Sequence, residues 1–282
     1  MGCLRFDFAR IRRYPVPLRL VVFAATLLVA WLPFLIPIRL LVSDPNAASI
    51  LSLVILYAEF LVLVRLWGQR VYRQPYLLWL YGLEFSQRNG LEVLSGLGIG
   101  ITSVLLLFIT QGWLGWLSWQ NLNWGIVQPA IEGGVVALAI GFAEEVLFRG
   151  WLLDELRRDY TPDVVLIVSA LLFATLHFRL LAFPAYVLLG LTLVWAKRAC
   201  YSHNASRVHE RLGLPIGLHA GLVWGNYVVE VGRLVSPSDR VSPWLTGVGG
   251  NPLTGLMGLV FLAGLAIAMH QFARIQRAKL KW

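Results

Sequence analysis

The chain has 282 residues, of which 58% are hydrophobic and only 14% charged. A soluble domain carries about a quarter charged residues, so this composition excludes an ordinary soluble globular protein and points to one that crosses a membrane repeatedly. The formal net charge is +9, but the basic residues sit in short stretches between apolar runs, a placement that fits membrane orientation and not a nucleic-acid groove.

Apolar windows of the about 20 residues needed to cross a bilayer recur near 18–38, 47–66, 91–111, 128–152, 163–179, 180–197, 214–232 and 253–273. The expected fold is therefore all-α, a polytopic membrane protein with about eight transmembrane helices. Two spans fall in an N-terminal region, 1–90, and six in a domain over 91–282 whose motif core is 128–230. The first run follows Arg10, Arg12, Arg13 and Arg19, as a signal peptide would, but it is long and lacks a convincing small-residue cleavage site, so it reads as an uncleaved span. With both termini cytoplasmic, all but five of the 24 basic residues (Arg39, Arg149, Arg179, Arg233 and Arg240) fall on the cytoplasmic side, as the positive-inside rule requires. The expected location is the plasma membrane.

Smaller features accompany these spans. Cys3 and Cys200 form no CxxC and both lie on the cytoplasmic side, so no structural disulfide is expected. The stretch 112–124 holds four tryptophans and no charge, which reads as an interfacial aromatic belt or a lip over a site. Gly96-xxx-Gly100 and Gly221-xxx-Gly225 fit close helix packing. Asn204-Ala205-Ser206 matches a glycosylation acceptor but falls on the cytoplasmic side.

Chemistry concentrates in the fourth span, in Gly141-Phe-Ala-Glu144-Glu145-Val-Leu-Phe-Arg149-Gly150. Ionisable groups at such depth cost about 2.5–3.5 kcal/mol each on insertion scales and mark function. Glu145 and Arg149 are four apart and share a helix face, so they pair. Glu144 is rotated by about 100° and left available for chemistry. Two histidines on other spans complete the set: His177, at the end of Phe173-Ala-Thr-Leu-His177, and His219, early in the seventh span, with Asn226 further along that helix. Read from the residues alone, the set is a site for chemistry, a buried polar network, or a proton or ion path.

Glu144-Glu145-xxx-Arg149, then Phe173-xxx-His177, then His219 resembles the motif series of the CPBP family: CAAX-type prenyl endopeptidases and bacteriocin-processing proteins, also called the Abi group. The resemblance covers about residues 91–272. It implies an eight-helix intramembrane endopeptidase acting on a membrane-associated or lipidated, CAAX-like peptide, with membrane lipid as its surroundings and no nucleic-acid partner. It also implies roles: Glu144 as the base that activates water, His177 as its holder, Glu145 paired with Arg149, and His219 as oxyanion donor. The family's third motif is His-xxx-Asn/Asp, and Val223 stands at its last position. Asn226 returns to the same face about 10 Å further along the axis.

Two histidines and a glutamate are also a catalytic zinc set, so Glu144, His177 and His219 are alternative Zn²⁺ ligands. There is no HExxH, and the favoured reading has no cofactor. Val223 leaves a second function open, a non-catalytic immunity or scaffold protein on the same fold. Levelling Glu144 with His177 along their helix axes requires the fourth helix to run on to about Asp159.

Overall fold

The computed structural model describes residues 8–122, 124–204, 207–238, 240–248 and 251–279. Cys3 and the last two residues of the Asn204-Ala205-Ser206 tripeptide lie outside them. Eight long helices follow one another among the described residues: α1 (Val16–Leu41), α2 (Pro45–Tyr72), α3 (Gln87–Trp113), α4 (Trp124–Arg157), α5 (Pro162–Leu176), α6 (Leu180–Arg198), α7 (Gly213–Val231) and α8 (Leu256–Lys279). They coincide in order with the eight apolar windows. Six are long and apolar enough to cross a membrane, which makes this an all-α polytopic membrane protein. The exceptions are α5, with 15 residues, and α7, whose 19 residues include His219, Asn226, Glu230 and four glycines. Two antiparallel strand pairs were outside the sequence expectation: β1 (Leu117–Trp119) with β4 (Val235–Pro237), and β2 (Tyr201–Asn204) with β3 (Arg207–Glu210). Strands of three or four residues are too short to show alternation.

The chain divides into two compact units, residues 1–80 with 154–160, and residues 81–153 with 161–282. In the first, α1 and α2 pack through Phe23, whose ring meets Phe60 and Trp67 edge-on at 6.0 and 5.3 Å. Its polar centre is Glu155, fully buried. The carboxylate accepts from Arg19 Nε (3.0 Å), Trp67 Nε1 (3.1 Å) and the Tyr72 hydroxyl (2.6 Å). Asp159 accepts from the Val16 amide at 3.1 Å, satisfying an orphan donor at the start of α1. Arg19, counted above among the cytoplasmic cations, is thus spent inside the fold.

The second unit is organised around α7, whose residues 213–222 are all buried. Glycines let its backbone touch that of α3. A Cβ on Gly217 would strike the Val93 carbonyl, one on Gly221 the Leu97 carbonyl, and one on Gly100 would come within 2.6 Å of the Leu218 carbonyl. On the other side Gly141 of α4 faces the Ile216 carbonyl, and Trp224 donates to the Ala130 carbonyl at 2.8 Å. The two glycine motifs therefore form one continuous seam, extended by Gly217.

Beside the start of α7, Arg211 forms a two-pronged ion pair with Glu92 and also donates to the Tyr201 carbonyl at 2.6 Å. His209 on β3 sits 3.2 Å from Glu84. Burial pushes the His209 imidazole below its ordinary value, against the pull of Glu84. Burial works against ionisation of Glu84, but hydrogen bonds from Ser86 and Ser202, with Arg211 and His209 nearby, hold its carboxyl below the usual carboxylate range.

Candidate active site

The motif-bearing helix α4 is not uniform. Its α-helical body, Val127–Glu145, passes at Val146–Leu152 into a π-helical segment and resumes at Leu153–Arg157, with turn hydrogen bonds continuing to Tyr160. The expected extension past Leu152 is therefore present. Such π segments recur at functional sites because the widened turn re-aims side chains. Here it begins directly after Glu145. It contains Arg149, whose carbonyl accepts from the buried Lys197 Nζ at 2.6 Å.

Glu145 is fully buried. One of its oxygens, Oε1, is shared by Arg149 Nη1 at 3.0 Å and His219 Nδ1 at 2.9 Å. The ion pair expected from the i, i+4 spacing is formed. Arg149 is held on its other faces by the Gly190 carbonyl (3.3 Å) and by the Phe173 ring, 4.3 Å from the guanidinium carbon. Its charge is thus matched by Glu145, spread over a ring face and capped by a carbonyl, as a guanidinium in a dry interior requires.

Glu144 faces the same histidine from the opposite side. Its Oε2 lies 3.9 Å from His219 Nε2 and 3.5 Å from His177 Nε2, with about a fifth of the side chain accessible. The two adjacent carboxylates nonetheless share His219. One imidazole has two nitrogens, and it bridges the two adjacent carboxylates. Glu144 Oε2 is buried without a hydrogen-bond partner. At 3.5–3.9 Å the two Nε2 atoms are too far for direct hydrogen bonds and spaced so that one water would bridge them to the carboxylate.

His177 caps the C-terminus of α5. Its Nδ1 donates to the Phe173 carbonyl at 2.7 Å, which leaves Nε2 turned toward Glu144. Phe178 follows in the left-handed region (φ 51°), a conformation costing a bulky side chain about 1–2 kcal/mol. It ends the helix at the residue that must point into the site.

Phe173 gives the second motif its physical sense. Fully buried, its ring packs on Phe148 (4.9 Å), His177 (4.4 Å) and His219 (6.0 Å), besides carrying Arg149 and supplying the carbonyl to His177. Tyr186 of α6 stacks on the far face of His177, with centroids 4.1 Å apart and planes 27° apart. Tyr186, Gly190 and Lys197 are partners that sequence reasoning missed. Their one shared signal is a spacing of four and then seven residues along α6, which places them on a single face.

Asn226 is elsewhere. It lines a cavity of about 370 Å³ with Gln111, Glu230 and Arg233, and neither Glu144, His177 nor His219 borders that cavity. Val223, at the departing position of the third motif, offers no donor. Among the described residues no group of three or more His, Cys, Asp or Glu side chains is arranged to hold a metal ion.

No curated protein and no solved structure matches this chain in the comparisons made. One family model does, described as "Type II CAAX prenyl endopeptidase Rce1-like", over residues 126–225. That stretch contains Glu144, Glu145, Arg149, Phe173, His177 and His219 and stops one residue before Asn226. A buried Glu-Glu-xxx-Arg helix, bridged by one histidine and faced by another, thus lies within the segment that is similar to this CAAX-type endopeptidase family.

Proposed function

We propose that this protein hydrolyses a peptide bond of a membrane-associated or lipidated, CAAX-like substrate, using a water activated by Glu144. The observation that carries the reading is the convergence of His177 Nε2 and His219 Nε2 on one buried, unpartnered oxygen of Glu144. A water bound there gives one proton to Glu144, while its oxygen attacks the carbonyl carbon. His177, fixed by the Phe173 carbonyl and the Tyr186 ring, accepts the second water proton as a hydrogen bond and so aims the lone pair. Glu144 then passes its proton to the departing amide nitrogen as the C–N bond breaks.

His219 is the oxyanion donor in this scheme. With both nitrogens protonated, its Nδ1–H lies on Glu145 and its Nε2–H points to the reacting centre. The Glu145 carboxylate orients the ring, as the third group of a hydrolytic triad does. Loss of an oxyanion donor costs about 10²–10³ in rate. With Val223 in place of the family's amide or carboxyl, His219 is the side chain that carries this role.

The test is direct cleavage. The detergent-solubilised protein is incubated with prenylated and unprenylated C-terminal peptides, and products are read by mass spectrometry. Wild type is expected to cleave and His177→Ala to fall by at least tenfold. Activity is expected to survive a zinc chelator, with less than stoichiometric zinc in the protein. Cleavage abolished by chelation and restored by zinc would overturn the metal-free mechanism. Val223 supports a second reading, a non-catalytic scaffold on this fold, and equal behaviour of wild type and His177→Ala with every peptide would favour it.

A further inference from the structure

A second cavity, of about 400 Å³, opens among α3, α7, α8 and the segment after α6, and it has no part in the proposed chemistry. Its mouth carries Arg88 and Lys279, and one part of its wall, formed by Ile99, Leu214 and Phe272, is apolar. Arg88 lies in the first turn of α3 and Lys279 is the last residue of α8. Both helices are membrane-crossing by length and composition, so the mouth is level with the ends of two spans, where phospholipid headgroups lie.

The charges at the mouth are available. The carboxylate in the wall, Glu92, is taken by the two-pronged pair with buried Arg211. Arg88 approaches Glu92 only to 3.9 Å, and its side chain is 71% exposed. Lys279 makes no ion pair among the described residues. With Glu92 and Arg211 cancelling, the mouth keeps two positive charges, and the N-terminal end of the α3 dipole adds to them. The hydroxyl of Ser95 is spent on the Leu91 carbonyl. The cavity therefore presents cations at the headgroup level and hydrocarbon behind them.

We infer that this cavity binds an anionic phospholipid, its phosphate between Arg88 and Lys279 and the first segment of an acyl chain along Ile99, Leu214 and Phe272. Basic pockets between spans at the membrane surface recognise such headgroups. An apolar wall distinguishes a lipid from a free anion, which would gain nothing from it.

Binding is tested on the intact protein in detergent, by thermal unfolding and native mass spectrometry, so it is independent of any peptidase activity. The probes are phosphatidylglycerol, phosphatidylcholine with the same acyl chains, and inorganic phosphate. Phosphatidylglycerol is expected to raise the unfolding midpoint and be retained at least fivefold better than phosphatidylcholine, with no effect of phosphate. Arg88→Ala/Lys279→Ala should abolish that preference. So should Ser95→Trp, which fills the cavity and leaves its charges in place. Arg12→Ala/Arg13→Ala, which removes the same charge from exposed residues outside the cavity, should preserve it. Equal loss in the two double variants would reduce the effect to net charge. Equal retention of both lipids, a phosphate-only response, or full binding by Ser95→Trp would each overturn the proposal.

Discussion

The adjacent carboxylates should separate cleanly on substitution by their isosteric amides. Glu145 is fully buried and holds both Arg149 (3.0 Å) and His219 (2.9 Å) through one oxygen. At 3.0 Å and an effective dielectric of about 20, its attraction to Arg149 is about 5–6 kcal/mol. Removing one partner of a buried pair costs about 3–5 kcal/mol, because the remaining charge stays out of water. At about 2–4 °C per kcal/mol for chains of comparable size, Glu145→Gln should lower the unfolding midpoint by about 6–20 °C. Glu144 has an accessible fifth and a buried oxygen with no hydrogen bond to lose. Glu144→Gln should leave the midpoint within about 2 °C of wild type, while peptide cleavage falls by about 10²–10⁴, the contribution of a general base. Unfolding is followed by tryptophan fluorescence in detergent, with cleavage measured well below both midpoints. If Glu144→Gln cleaves at the wild-type rate, or if Glu145→Gln is as stable as wild type, the division of labour drawn here is wrong.

The other expectations follow from the same packing. Gly217→Ala, which drives a methyl into the Val93 carbonyl, should cost about 1–3 kcal/mol or more, whereas Gly98→Ala on the same seam-forming helix meets nothing within 4 Å and should be neutral or gain up to about 1 kcal/mol; equal midpoints would argue against backbone contact in the seam. Tyr186→Ala should lower kcat about 2–10-fold, the worth of one aromatic stack at about 0.5–1.5 kcal/mol, while Tyr186→Phe keeps the ring and the rate. A loss in Tyr186→Phe would instead assign the work to the hydroxyl. Because burial holds His209 below its ordinary value of 6.5, the folded state binds fewer protons there than the unfolded chain, so its contribution is present above pH 6.5 and is lost as the pH falls below it. Between pH 7 and 5, the unfolding midpoint of His209→Gln should fall less steeply than that of wild type.

The helices and the Glu145–Arg149 pair were legible because both rest on local rules, the length of an apolar run and the phase of an α-helix. The seam was half legible: Gly96-xxx-Gly100 and Gly221-xxx-Gly225 carry the signature, but Gly217 has none beyond its spacing. What escaped depends on residues brought together by tertiary packing. Lys197 and Arg211 look like loop cations, and both are buried against partners 48 and 119 residues away. Nothing in the sequence announces the π segment at Val146–Leu152, because the widened turn is held from outside, by Lys197 on the Arg149 carbonyl.

The case of His219 shows why the phase argument stopped short. An α-helical wheel separates Glu144 from Glu145 by about 100°, and the sequence reading treated that angle as two destinations. An imidazole seated between them spans the gap, offering Nδ1 to one carboxylate and Nε2 to the other. It can sit there because α7 approaches α4 closely at Gly141, three residues before the start of the pair. The Glu-Glu doublet and the glycine seam are therefore parts of one arrangement. A doublet alone would leave two like charges side by side in a dry interior. With Arg149 and His219 in place, Glu145 is committed on one oxygen to a cation and a ring, and Glu144 is left as the carboxylate whose charge no permanent partner neutralises.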